Sequence, residues 1–203
     1  MADGAAPDAL TRLIAALDRP GAATSDFDRN PAAVLAADRV LRPAGVLVLV
    51  DPDPAGARLW LTKRASGLRH HPGQIALPGG KVDPGDDGPV GAALREAHEE
   101  IGLPIGAARV LGCLAPHETV TGFQVTPVLA LQRIPFAAIP EAGEVDEVFS
   151  VPLAHVLNPA RFHVERRRWR GEWRHYDVVP WGPYYIWGAT ARILRALSDR
   201  VAV

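Results

Sequence analysis

With one cysteine in 203 residues, Cys113 has no intramolecular partner, which excludes a disulfide framework and any zinc site of the paired-cysteine kind. An excess of charge of either sign is also missing. Lys+Arg total 22 against Asp+Glu 23, a formal charge of −1, so no global positive field gathers nucleic acid or an anionic membrane, and an anionic ligand must be held by local charge. No uninterrupted apolar run approaches the twenty or so residues needed to cross a bilayer. The opening stretch "MADGAAPDALTRLIAALDRP" has Asp3 where a signal peptide wants positive charge, and Arg12 interrupts its apolar run. These absences lead to the expectation of a cytoplasmic protein in a reducing compartment, with no nucleic-acid and no membrane partner. Internal repeats and long linkers are absent too, so the expectation is a single domain over 1–203, with 1–39 an N-terminal helical extension.

What is present is patterned. Leu10, Leu13, Ile14 and Leu17 recur at helical spacing within residues 7–18, and Pro20 and Gly21 stop that helix before a polar connector. "AGVLVLV" (44–50) is an apolar run of strand length, and "DPDPAG" turns the chain into "ARLWLTKR", which alternates as a paired strand does. "ARVLGCLA" and "FQVTPVLAL" read as further strands, and "EVFSVPL" as a short one. "RFHVERRRW", "RGE" and "WRHYDVV" read as a second hairpin with a cationic face. Trp187, Thr190, Ala191, Leu194 and Leu197 line one side of a closing helix. Strands before, between and after helices mean a mixed α/β or α+β sandwich.

The stretch "PGGKVDPGDDGPVGAALREAHEEIGL", Pro78 to Leu103, carries the chemistry. Gly79, Gly80, Gly85 and Gly88 make a turn in which main chain can approach a ligand closely. A helix over about 89–101 follows, with Gly88 as cap, Pro89 at its first position and Gly102 just past its end. Val90, Leu94, Ala97 and Ile101 form its apolar stripe, while Glu96, Glu99 and Glu100, related as i, i+3 and i+4, share another face. Like charges at that spacing repel. A hard divalent cation reverses the sign, because Mg²⁺ or Mn²⁺ takes carboxylate and carbonyl oxygens. The bland alternative is an ordinary surface helix with Arg95 and Glu99 as an i, i+4 ion pair.

"GG-x-x-D-x-x-D" followed by "ALREAHEEIGL" resembles the Nudix box, the loop-helix signature of hydrolases that cleave diphosphates linked to another moiety. Two departures stand out. After Gly80 and five intervening residues comes Asp86 where the usual box has Glu, and eight intervening residues rather than seven then precede Arg95. Upstream, "LTKRASGLRHHPGQIALPGG", Leu61 to Gly80, is similar to a second signature found in the coenzyme A diphosphatase branch, which shares both departures; Leu77 stands where an aromatic residue is more usual. "GFQVTPVLAL", "GEVDEVFSVPL" and "IWGATARIL" also resemble that branch, extending the likeness over roughly 40–198.

The resemblance implies a Nudix-fold α/β/α sandwich with a mixed β-sheet. It implies metal-dependent hydrolysis of coenzyme A or its thioesters to 3′,5′-ADP and 4′-phosphopantetheine or its acyl form. Carried over by position, Glu96, Glu99 and Glu100, with the carbonyl of Gly80 or Gly79, would bind Mg²⁺ or Mn²⁺. Glu99, Glu100 and Arg95 would form the catalytic group, Arg95 by orienting Glu99 or Asp86 through a bidentate pair. Lys63, Arg64, Arg69, His70 and His71 would bind the substrate's ribose 3′-phosphate and diphosphate. The general base stays open among these glutamates and Glu118, Glu141, Glu144 and Glu147.

The alternatives are a related diphosphate substrate (ADP-ribose, a dinucleotide or a nucleoside triphosphate), a non-catalytic nucleotide-binding module, and nucleic-acid binding through 164–175. A homodimer fits the family. The hairpin arginines read as a charged outer face, a dimer contact or an anion patch. Trp169, Trp173, Trp181 and Trp187 read as packing anchors, Cys113 as a buried inert thiol and His98 as solvent-facing.

Overall fold

The computed structural model describes residues 8–31, 38–169 and 171–202, and the side chain of Trp169 lies outside that description, as do Arg170 and the first residue of the helix expected from 7. Strands and helices follow in the order α1 Ala9–Ala15, β1 Thr24–Ser25, β2 Arg42–Asp51, β3 Arg58–Arg64, β4 Ile75–Ala76, β5 Gly79–Lys81 and α2 Gly88–Ile101. The second half runs β6 Ala108–Cys113, β7 His117–Glu118, β8 Phe123–Gln132, β9 Val145–Pro152, α3 Leu153–Val156, β10 His163–Trp169, β11 Glu172–Val178 and α4 Ala189–Ala202. Among the described residues no helix is long and apolar enough to cross a membrane.

The centre of the main sheet is the parallel pair β2 and β8, in register from Arg42 opposite Phe123 to Val50 opposite Leu131. Antiparallel neighbours extend it: β3 beside β2, β9 beside β3, and β6 and β7 beside β8. The sheet is therefore mixed. Because successive strand residues face opposite sides, the apolar run of β2 feeds two cores. Val48 and Val50 pack with Leu13 of α1, Leu153 of α3 and Leu194 of α4. Leu47 and Leu49 pack on the other face against Ala93, Ala97 and Ile101 of α2. Helices thus cover both faces of the sheet, the α/β/α layering expected from the sequence.

Three local expectations change. The N-terminal segment is helical only in part: after α1 and a 3₁₀ turn at Ala16–Asp18, Thr24 and Ser25 join the sheet as β1, parallel to β7. Gly79 and Gly80, expected in a turn, lie instead in β5, antiparallel to β2. Their glycine identity comes from crowding, since a Cβ on Gly79 would meet Val46 and one on Gly80 would meet the Glu96 carboxylate. Cys113, expected to be buried, is exposed at the end of β6, where the strand twists past a register shift between Val110 and Gly112.

Candidate active site

Helix α2 lies directly on the strands that carry the glycines. A Cβ on Gly45 of β2 would fall on the Pro89 carbonyl, so the first turn of the helix sits against strand backbone. The helix begins one residue earlier than expected, with Gly88 already helical and Asp87 at the cap, and it ends at Gly102 in the left-handed conformation (φ 70°). Small residues on its inner face, Ala92, Ala93 and Ala97, permit this close approach. That approach decides the fate of the glutamates.

The three glutamates, expected to share one face, are divided by depth. Glu100 is only 4% exposed, and its Oε2 accepts a hydrogen bond of 3.0 Å from the Gly79 amide. Burial pushes its carboxyl up to about 7, the Gly79 hydrogen bond opposes this, and the nearby charges of Glu96 and Glu144 add to it. Glu96, half-buried against Gly80, is also raised, first by burial, with Arg95 opposing. The Glu99 side chain is 53% exposed and turns to Arg95. The inner pair therefore concentrates negative charge where water is scarce, and the outer glutamate belongs to an ion-pair network.

Arg95 organises that network. Its Nε and one terminal nitrogen take both oxygens of Asp86 at 3.0 and 3.1 Å, while the other terminal nitrogen reaches Glu99 Oε2 at 2.9 Å and Glu96 Oε1 at 3.1 Å. The guanidinium holds the Asp86 carboxyl below the usual carboxylate range. Asp86 also accepts from the Asp83 amide at 2.8 Å, so the loop before the helix is pinned to the helix flank. Between the two aspartates left open by the sequence, Asp86 makes this pair and Asp87 is the cap residue. His98 is solvent-facing, as expected, with Nδ1 2.9 Å from the Leu103 carbonyl.

Among the described residues no three His, Cys, Asp or Glu side chains already converge on one point. The donor set nevertheless suits a hard divalent cation: two inward carboxylates, raised by burial and with Glu96 raising Glu100, beside the backbone of Gly79 and Gly80. A cation there would relieve the repulsion that the fold imposes.

A cleft of about 730 Å³ adjoins this pair and includes Gly79 in its wall. Arg64, His70 and His71 line it. Lys63 and Arg69, expected in the same cluster, do not. Lys63, next to Arg64 on β3, is in register with Glu147 of β9 just before the register shift that separates it from Arg64, while Arg69 stands out on the exposed loop. Two segments that sequence reasoning left outside the site complete the cleft. Arg167, Arg174 and His175 come from the β10–β11 hairpin, and Asp26, Phe27 and Asn30 from the segment after β1. Asn30 ties these together, its side chain exchanging two hydrogen bonds of 2.9 Å with the His175 main chain, and Arg29 forks onto Asp177 at 2.8 and 3.1 Å. The run of arginines in "ERRRWRGEWRHY" was the available signal, but the face they present depends on what the hairpin packs against.

The aromatic residues divide as well. Trp181 and Trp187 are half-buried, packed against His155 and Tyr176 respectively, whereas Trp173 is 54% exposed beneath Arg166 and anchors nothing in the core.

The sequence matches the family model of the NUDIX domain over residues 41–176. This chain belongs to the Nudix hydrolase family. It is 41% identical over 163 residues to a relative from Enterobacter sp. (strain 638) named "Uncharacterized Nudix hydrolase NudL", covering 80% of this chain and 84% of the relative. A NudL from Cronobacter sakazakii is 40% identical over 185 residues, covering 90% and 88%. In fold, the hydrolase is similar to the crystal structure of a MutT/nudix family protein from Enterococcus faecalis, with a TM-score of 0.50 at 18% identity, covering 85% of this chain and 66% of the other. The chain is accordingly a hydrolase of pyrophosphate bonds in small-molecule diphosphates, and members of this family generally use divalent metal ions such as Mg²⁺ or Mn²⁺.

Proposed function

We propose that this Nudix hydrolase cleaves the diphosphate of coenzyme A or its thioesters, giving 3′,5′-ADP and 4′-phosphopantetheine or its acyl form. The observation that carries the proposal is the juxtaposition of the cationic wall Arg64, His70 and His71 with Gly79, whose amide Glu100 holds. The same residues fall within the segment Leu61–Gly80 that resembles the coenzyme A diphosphatase branch.

Glu96 and Glu100 would hold Mg²⁺ or Mn²⁺, with the Gly80 carbonyl beside them. When bound, the metal neutralises diphosphate charge and makes water more acidic. Arg95 would set the orientation of Glu96 and Glu99 through its fork on Asp86. Arg64, His70 and His71 would hold the substrate's phosphates and turn a diphosphate phosphorus toward the attacking water.

Among the loop carboxylates, Glu144 is the one whose charge acts on both Glu96 and Glu100, and we assign it as the proton acceptor from that water. Glu118 is occupied by Arg39, and Glu147 accepts the Tyr184 hydroxyl proton in a hydrogen bond. We place the reaction in the cytoplasm, where an exposed Cys113 stays reduced.

The test is purified protein with Mg²⁺ or Mn²⁺ presented in parallel with coenzyme A, ADP-ribose, NADH and a nucleoside triphosphate, products being separated by chromatography. Coenzyme A as the fastest substrate, yielding 3′,5′-ADP, supports the proposal. Faster cleavage of another diphosphate removes the coenzyme assignment and leaves the hydrolase.

A further inference from the structure

The hairpin adds a charge arrangement that catalysis at α2 does not explain. Arg167 of β10 and Arg174 of β11 are directly opposite one another in the ladder, and both line the cleft. Like charges directly opposite on adjacent strands weaken the ladder unless an anion lies between or beside them; Glu172 lies 4.0 Å from Arg174, so the charge left to explain is that of Arg167. Arg167 is exposed, its guanidinium carbon 5.2 Å from the centre of the Trp187 ring, and no salt bridge to it is found among the described residues. Trp187 is in turn fixed by an edge contact to Tyr176 at 5.2 Å.

The cleft has little negative charge of its own. Among its lining residues the only carboxylate is Asp26, and both its oxygens are engaged, one 3.2 Å from His117 Nε2 and the other accepting from the Val120 amide at 2.8 Å. Arg64, His70 and Arg167 all act electrostatically on His71, which places the loop cations and the hairpin cation in one field. One end of that field reaches Gly79, beside the glutamates, and the other end is the hairpin.

We infer that Arg167, supported on Trp187 and facing Arg174, forms a second anion subsite that selects nucleoside diphosphates bearing an additional phosphate monoester on the ribose. This rests on the coenzyme A reading above for the identity of that phosphate, the ribose 3′-phosphate. The subsite itself rests on the hairpin. A guanidinium presents its fork of donors to a phosphate monoester with two charges to match.

Calorimetric titration with adenosine 3′,5′-bisphosphate and with adenosine 5′-monophosphate tests the subsite without turnover. Arg167→Ala is expected to reduce the preference for the bisphosphate by about tenfold or more while changing monophosphate affinity little. Arg167→Gln, which keeps a long side chain over Trp187, should behave the same way. Arg166→Ala removes an equal charge from the same strand, but Arg166 lies over Trp173 on the other side of the hairpin and the preference should survive. Equal loss of both nucleotides, no change in either, or no measurable binding of either to the unsubstituted protein would overturn the inference.

Kinetics then separate it from the coenzyme A reading, using coenzyme A against dephospho-coenzyme A and NADPH against NADH. If coenzyme A is not cleaved but Arg167 still governs the choice of NADPH over NADH, the coenzyme assignment fails and the subsite stands. If coenzyme A is cleaved and Arg167→Ala treats both members of each pair alike, the subsite fails and the assignment stands.

Discussion

Arg95, Glu96, Glu99 and Glu100 occupy less than two turns of one helix, whereas the cations of the adjoining cleft come from the end of β3, the loop after it and a hairpin about a hundred residues later. The acidic half is local: spacing alone brings its members together, and the glycine contacts with β2 and β5 only set their depth. The cationic half is assembled by tertiary packing, with Asn30 and Arg29 holding the hairpin against the N-terminal segment. A local half tolerates change elsewhere and fails at single positions. An assembled half should lose function by degrees, one wall at a time.

The largest expected effect is on the local half. Glu100→Gln should lower kcat by about 10³-fold at saturating Mg²⁺, since several kcal/mol of charge stabilisation go with the carboxylate. A steady-state assay showing less than a tenfold loss would move the centre of the site away from α2.

Acid–base titration of stability comes next. The Glu100 carboxyl lies at about 7 in the folded chain against 4.5 ordinarily, so the folded state binds that proton more tightly than the unfolded state does. Its contribution to stability is therefore full below about pH 4.5 and is lost as pH rises through about 7, approaching roughly 3 kcal/mol at 1.36 kcal/mol per unit. Thermal melts of metal-free protein should show this decline between pH 5 and 8. Glu100→Gln should reduce it to the smaller part that the raised Glu96 carboxyl leaves, and Mg²⁺ at pH 8 should recover stability by binding the folded state. Asp86, held low by Arg95, has its window at more acid pH and does not overlap.

Arg95→Lys keeps the charge but gives up the fork that spans Asp86, Glu96 and Glu99. A loss of about 10- to 100-fold in kcat/KM, with a raised Mg²⁺ requirement, is the expected outcome. Full activity in Arg95→Lys would show that charge suffices and that orientation of the glutamates does not depend on Arg95.

The smallest effects separate members of the cationic half. Arg64→Ala should raise KM about tenfold, while Arg69→Ala, outside the cleft, should change it by less than about twofold. If Arg69→Ala were the more damaging, the loop would have to close over bound substrate, and the two halves would no longer be independent.

Read by itself, the sequence specified the long strands, the hairpin, the helix close to its ends and the run Arg95–Glu100, because each rests on periodicity or turn chemistry within a few residues. It also carried the resemblance that named the family. Three things depended on the tertiary structure. The depth of Glu100 against Glu99 is set by α2 lying on the backbone of β2, a contact that helical spacing does not encode. The separation of Lys63 and Arg69 from Arg64, His70 and His71 goes with the register shift between Lys63 and Arg64 in β3 and with the exposed course of the loop. The recruitment of Arg167 and Arg174 depends on a long-range clamp between Asn30 and His175, 145 positions apart, whose partners carry no mark in the sequence until the chain has folded. Local order follows from neighbouring residues, but burial and electrostatic neighbourhood are properties of surfaces brought together from distant parts of the chain.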